Sequence, residues 1–319
     1  MANVRERLNH MRHLLAADRN TSGGVSVPDV TVCVASKDTR TYTELCVRSM
    51  WRLAGGSFSL VVGDCSSEDG SQQLLRRMAA DGLLTLQESP PDTLHSEWID
   101  RWRKEIRTKY LVIVDSDVEF REPRWLPRLL AALGDRSMLA YGVAPEMHYR
   151  ETRARFGDPF EYTLLARPDP CVLLLDHART ASITASFDWR EVADRWPPQV
   201  AYDVAGYFAH VLEQESHSWA EIPPSIKSSF RHYGGRSWKT GSPTGIRLWL
   251  YGFRHRVRMR SLVLLLRGLD RLTPTHWSNP TTAGEGSTSK SGPPTEPEQK
   301  PPDETEPSRT RLQDGCDRR

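Results

Sequence analysis

Polar and apolar positions along the chain fall into a repeating order. Val30 to Ala35 (VTVCVA), Phe58 to Gly63 (FSLVVG) and Tyr110 to Val114 (YLVIV) are nearly unbroken apolar runs rich in β-branched residues. Such runs, lacking polar alternation, suit central strands covered on both faces. Between them the apolar spacing lengthens to that of a helix. Thr43 to Leu53 turns Leu45, Met50 and Leu53 inward, and Ser71 opens a helix carrying Leu74, Leu75 and Met78. Leu83 to Gln87 predicts a short strand. Glu97 to Arg107 predicts a helix with Trp98, Trp102 and Ile106 at four-residue spacing, the two tryptophans as core. A helix near Trp125 to Leu133 ends at Gly134. Further strands are expected over Met138 to Ala144 and Cys171 to Leu175, then a helix over Asp203 to Glu213 with Asp203 as its N-cap. This order predicts an α/β fold: a mostly parallel central sheet, flanked by helices, with right-handed crossovers.

The ends of the chain read differently. Val4, Leu8, Met11 and Leu15 space a short amphipathic helix within an extension over 1–25, broken at Ser22-Gly23-Gly24. A catalytic domain is expected over 26–240. Residues 241–272 hold a basic amphipathic segment. From Ile246 to Arg267 it mixes Trp, Tyr, Phe and Leu with six arginines, and no acid precedes Asp270. That composition fits peripheral contact with an anionic membrane, or equally a helix packed on the domain with its arginines in water. Residues 273–319 are rich in Pro, Ser, Thr, Gly and Glu. Beyond Trp277 their only large apolar side chain is Leu312, so a disordered tail is expected.

Composition narrows the class. The 319 residues carry a net charge of only +2, which does not argue for nucleic acid. The five cysteines form no CxxC pair and read as reduced thiols of a cytoplasmic protein. The charged N-terminal stretch lacks the apolar core of a signal peptide, and no apolar run reaches the roughly 18–20 residues that span a bilayer. The expected location is cytoplasmic, with 246–267 able to meet the inner face of the membrane.

The chemistry gathers at strand ends. The run YLVIV leads into Asp115-Ser116-Asp117. In open α/β sheets ligands collect at the carboxyl ends of strands. Two adjacent carboxylates repel unless a cation lies between them, and Mg²⁺ or Mn²⁺ is the usual cation of oxygen-rich sites. The residues alone also allow a solvated acidic turn. After FSLVVG comes Asp64-Cys-Ser-Ser-Glu-Asp-Gly-Ser71, where Asp69 and Gly70 read as turn residues. Tyr202-Asp203 and the late His232-Tyr-Gly-Gly-Arg-Ser237 complete the set.

Strand–DxSxDGS–helix followed by strand–DxD resembles the family 2 glycosyltransferases of the GT-A fold, over roughly residues 30–235. Three departures stand out: Ala35 replaces the usual proline, Lys37 the usual aromatic residue, and Tyr202-Asp203 stands where many members carry Glu-Asp. The resemblance implies a GT-A-like nucleotide-diphospho-sugar transferase, acting with inversion on an acceptor hydroxyl. It implies Asp64 as acceptor of a hydrogen bond from the nucleotide base and Ser36 as a wall of the nucleotide pocket. Asp115 and Asp117 would hold Mn²⁺ or Mg²⁺ at the donor diphosphate, with His232 near the metal or diphosphate. Asp203 would be the base. The donor is then a nucleotide sugar; the acceptor (glycan, lipid-linked or small molecule) is left open. A HAD-like phosphohydrolase, with Asp115 as nucleophile, and a non-catalytic sugar-nucleotide-binding module are the competing readings.

Overall fold

A computed structural model of the protein describes residues 29–91, 93–151, 160–187, 200–201, 204–234 and 246–272. All lie in Met1–Gly284, one of the two units into which the chain divides. The expected 1–25 helix and 273–319 tail fall outside the described residues.

The main sheet has seven strands: β1 (Val30–Ser36), β2 (Ser59–Asp64), β3 (Thr85–Glu88), β4 (Tyr110–Asp115), β6 (Met138–Ala140), β11 (Val172–Asp176) and β13 (Trp219–Glu221). Its order is β13-β6-β11-β4-β1-β2-β3. Neighbours pair in parallel except at β11, which runs antiparallel to both β4 and β6. The other strands are short: β5 (Val118–Phe120), β7 (Val143–Ala144), β8 (Met147–Glu151), β9 (Phe160–Leu164), β10 (Arg167–Pro168), β12 (Val200–Ala201) and β14 (Phe230–His232). The expected strand over Met138 to Ala144 is thus two strands, β6 and β7, parted at Tyr141-Gly142.

The helices are α1 (Arg40–Leu53), α2 (Ser71–Ala80), α3 (His95–Glu105), α4 (Trp125–Leu133), α5 (His177–Thr180), α6 (Gly206–Gln214), α7 (Pro224–Lys227) and α8 (Ile246–Leu272). Successive strand residues face opposite ways, and the core splits accordingly. Val32, Val34, Val112, Val114 and Leu174 join one apolar cluster, with residues of α1, α2, α4 and α8. Cys33, Leu111, Ile113, Leu173 and Leu175 join the other, with residues of α3 and α6. The apolar runs are continuous because both faces are covered.

On the second face Trp98 and Trp102 stack with centroids 5.3 Å apart, and both are fully buried. Trp98 lies so close over β2 that a Cβ at Gly63 would come within 2.7 Å of its ring. On the first face α8 buries Met259, Val263, Leu266 and Leu269. Each such side chain contributes about 1.5–3 kcal/mol when fully buried. Ion pairs fix the helix to α1. Glu44 accepts from Arg267 at 2.6 and 2.5 Å and from Arg48 at 2.9 Å, and Arg48 also pairs with Asp270. Arg267 is therefore held by a carboxylate while staying partly exposed. Val257, Arg260 and Leu264 point outward.

Helix α6 starts later than the sequence pattern predicts. Its first residue is Gly206, and Ala205 holds the N-cap position with a left-handed φ of 70°. Asp203 lies outside the described residues.

Candidate metal and nucleotide site

Strand order places the site. From β1 the chain builds one way to β2 and β3, then crosses to β4 on the other side of β1. This reversal opens a crevice at the carboxyl ends of β1 and β4. Asp115 ends β4, paired in register with Ala35. Beyond it the chain turns through Ser116 and Asp117 into β5.

A second ladder brings in the histidine. β14 pairs antiparallel with β5, setting His232 opposite Val118. Phe120 and Phe230 pack edge to face across it at 5.5 Å, and the Tyr233 hydroxyl donates to buried Glu119 at 2.5 Å. The Tyr233 amide donates to the Asp117 carbonyl at 3.1 Å. His232 Nε2 then lies 3.1 Å from Asp117 Oδ1 and 3.4 Å from Asp115 Oδ2. The three offer ligand atoms within 4.8 Å of one another.

The electrostatics fit a cation centre. Burial pushes the Asp115 carboxyl above its usual range. His95 and His232 pull it back, while Asp117 and Asp169 add to the rise. Burial works against a charged His232, but its hydrogen bond to Asp117 and the charges of Asp117, Asp115 and Asp169 raise its pKa. Asp117 is only 6% exposed, and its Oδ2 is buried with no hydrogen-bond partner among the described residues. A buried carboxylate oxygen without a donor is costly. A divalent ion held by two carboxylates and an imidazole would compensate it, and this donor set suits Mn²⁺ or Mg²⁺.

Three neighbours were not among the residues expected from sequence. His95, the first residue of α3, has Nε2 3.5 Å from Asp115 Oδ1. Asp169 and Cys171 arrive with β11: the Asp115 amide donates to the Cys171 carbonyl at 3.0 Å, and the Cys171 amide to Asp169 Oδ1 at 3.1 Å. His95 opens α3, two residues ahead of the Glu97 start that the apolar spacing predicts. No local signal brings Asp169 and Cys171 there, because an antiparallel crossover joins them to β4.

Ser36 and Asp64 end adjacent strands and pair in register. Both are buried, at 1% and 0% exposure. Ser36 Oγ bonds Thr43 Oγ1 at 3.1 Å, and Thr39 Oγ1 continues the hydroxyl network to Ser116 Oγ at 2.8 Å, beneath the DSD turn. Asp64 accepts the Ser67 amide at 3.0 Å and the Ser67 hydroxyl at 2.7 Å, one on each oxygen. Asp69 accepts the Arg40 and Ser71 amides at 2.8 and 3.0 Å, so it holds the starts of α1 and α2 together. Lys37 donates to the Cys65 carbonyl at 2.6 Å and ties the two loops.

No protein-family model matches the chain, and no curated protein does. Among solved structures it is similar to the mannosyltransferase PcManGT from Pyrobaculum calidifontis, determined with GDP-Man and Mn²⁺. That match has 12% identity and a TM-score of 0.36, over 86% of this chain and 97% of the other. It is similar to TarS of S. aureus at 19% identity and TM-score 0.29, over 35% of this chain and 21% of that one. It is also similar to glucosyl-3-phosphoglycerate synthase of Mycobacterium tuberculosis, determined with Mn²⁺ and UDP. Here the identity is 18% and the TM-score 0.30, over 40% of this chain and 47% of that one. Likenesses of this degree do not assign an activity. Among the described residues no helix is long and apolar enough to cross a membrane.

Proposed function

We propose that the protein is a metal-dependent glycosyltransferase of GT-A type, moving a sugar from a nucleotide-diphosphate donor to an acceptor hydroxyl with inversion. The observation that carries this reading is the Asp117 Oδ2, buried without a partner among the described residues, beside Asp115 and His232 at the carboxyl end of β4 where strand order reverses. Asp115, Asp117 and His232 would hold the ion. When bound, it supplies Lewis-acid stabilisation of the charge that develops on the departing diphosphate. Asp203 is proposed to accept the proton of the acceptor hydroxyl as its oxygen bonds to the anomeric carbon. The bond from that carbon to the diphosphate breaks in the same step, so the configuration inverts. Ser36 and Asp64 are proposed to shape the nucleotide pocket, Asp64 through the Ser67 turn that it holds. The outward Val257, Arg260 and Leu264 of α8 support peripheral contact with an anionic membrane on the cytoplasmic side, where a lipid-linked acceptor would be within reach.

The test is nucleotide-diphosphate release from UDP-, GDP- and dTDP-sugars with Mn²⁺, with Mg²⁺ and with EDTA. Metal-dependent release from one donor supports the reading. Phosphate release from simple phosphomonoesters, with no donor cleaved, would replace it by the phosphohydrolase.

A further inference from the structure

His232 faces two sets of donors. Besides Asp115 and Asp117, it forms a cluster with Asp169 and Cys171, whose ligand atoms also lie within 4.8 Å of one another. Cys171 is fully buried and opens the turn into β11, and Asp169 is partly exposed. The β11–β4 ladder sets this cluster beside the end of β4. Next to the shared histidine, Asp117 keeps a buried Oδ2 that has no partner among the described residues. The two sets differ in chemistry. The first offers carboxylates and an imidazole. The second offers one carboxylate, one imidazole and one sulfur, and sulfur donors select thiophilic ions such as Zn²⁺ and Cd²⁺ over Mn²⁺ and Mg²⁺.

We infer that Asp169, Cys171 and His232 form a second, thiophilic cation site, and that its occupation draws His232 away from the Asp115–Asp117 centre. On binding, the Cys171 S–H bond breaks, a sulfur–metal bond forms and the proton leaves to solvent; no electron is transferred. Zn²⁺ then opposes the Mn²⁺-loaded state through the histidine both sites need. The binding half stands on the cluster alone; the inhibitory half rests on the proposed function.

The test titrates the full chain with Cd²⁺ and follows thiolate-to-cadmium absorption in wild type, Cys171→Ser, Asp169→Asn and Asp115→Asn. A single saturating step is expected in wild type. It should vanish in Cys171→Ser, move to about tenfold higher Cd²⁺ in Asp169→Asn and persist in Asp115→Asn. Absence of the step from wild type, or a step unchanged in Cys171→Ser, would overturn the inference. Because Cys171 is buried, Asp169→Asn is an independent arm, and an unshifted step there also overturns it. A second readout is bound Mn²⁺ by spin resonance. Zn²⁺ should release it from wild type and require about tenfold more in Asp169→Asn. Retention of Mn²⁺ at saturating Zn²⁺ contradicts the inhibitory half. A chain that never binds Mn²⁺ but shows the cadmium step retains the second site and loses the proposed function.

Discussion

Asp64 and Asp117 stand at the carboxyl ends of β2 and β4, the two strands that flank β1, and both are almost fully buried. Their carboxylates are treated in opposite ways. Asp64 has a donor from Ser67 on each oxygen, supplied from three residues away. Asp117 has His232 on one oxygen and, among the described residues, nothing on the other. The first turn is closed on itself and serves as scaffold. The second keeps a buried charge uncompensated by the described residues, which a fold tolerates where a ligand completes it. Burial of an acid alone therefore does not mark a site; what sets Asp117 apart is an open oxygen beside a second carboxylate and an imidazole.

The comparison is broken most strongly at Asp117. Asp117→Asn should lower transfer by on the order of 10³-fold, since the ion's charge stabilisation is lost. Its thermal midpoint should not fall, because a buried carboxylate beside Asp115 is removed. Steady-state kinetics and a melting curve check both parts. Asp64→Ala should do the reverse and act first on stability. It leaves the Ser67 amide and hydroxyl without their acceptor, at a cost of about 2–3 kcal/mol in urea unfolding.

Glu44→Gln tests a charge that, like Asp64, is fully answered. Burial works against the Glu44 carboxylate, but Arg267 and Arg48 hold its pKa below the ordinary 4.5. The group thus stabilises the fold above pH 4.5, and the contribution is lost as pH falls further through the lowered value. Both arginines are partly exposed, so the expected loss near neutrality is about 1–2 kcal/mol. Unfolding curves of wild type and variant should converge below pH 4.5. Asp69→Asn is the mildest change. It weakens two helix starts by about 0.5–1 kcal/mol and should leave Mn²⁺ binding unaltered.

Much of this contrast was legible in the chain. The runs ending at Ser36, Asp64 and Asp115 announce central strands, and the acids follow where such strands leave a sheet. The turn role of Asp69 follows from the DGS chemistry beside it. What local pattern could not show is pairing across long separations. The β14–β5 ladder that delivers His232, and the antiparallel β11 that delivers Asp169 and Cys171, depend on topology. The start of α6 departs from the sequence pattern: Asp203 looks like an N-cap, whereas the helix begins after Ala205 in a left-handed conformation that alanine rarely adopts. In α8 the arginine-rich pattern was plain, but the Glu44 and Asp270 pairs that tie the helix to α1 were not.

The most direct test of the account is calorimetric binding of UDP, GDP and dTDP, with Mn²⁺ and with EDTA, to wild type and Asp117→Asn. The account predicts that one nucleotide binds wild type only when the metal is present, and that binding disappears in the variant while the fold persists. Binding of equal strength with EDTA, or in Asp117→Asn, would contradict the claim that the unanswered carboxylate holds the ion.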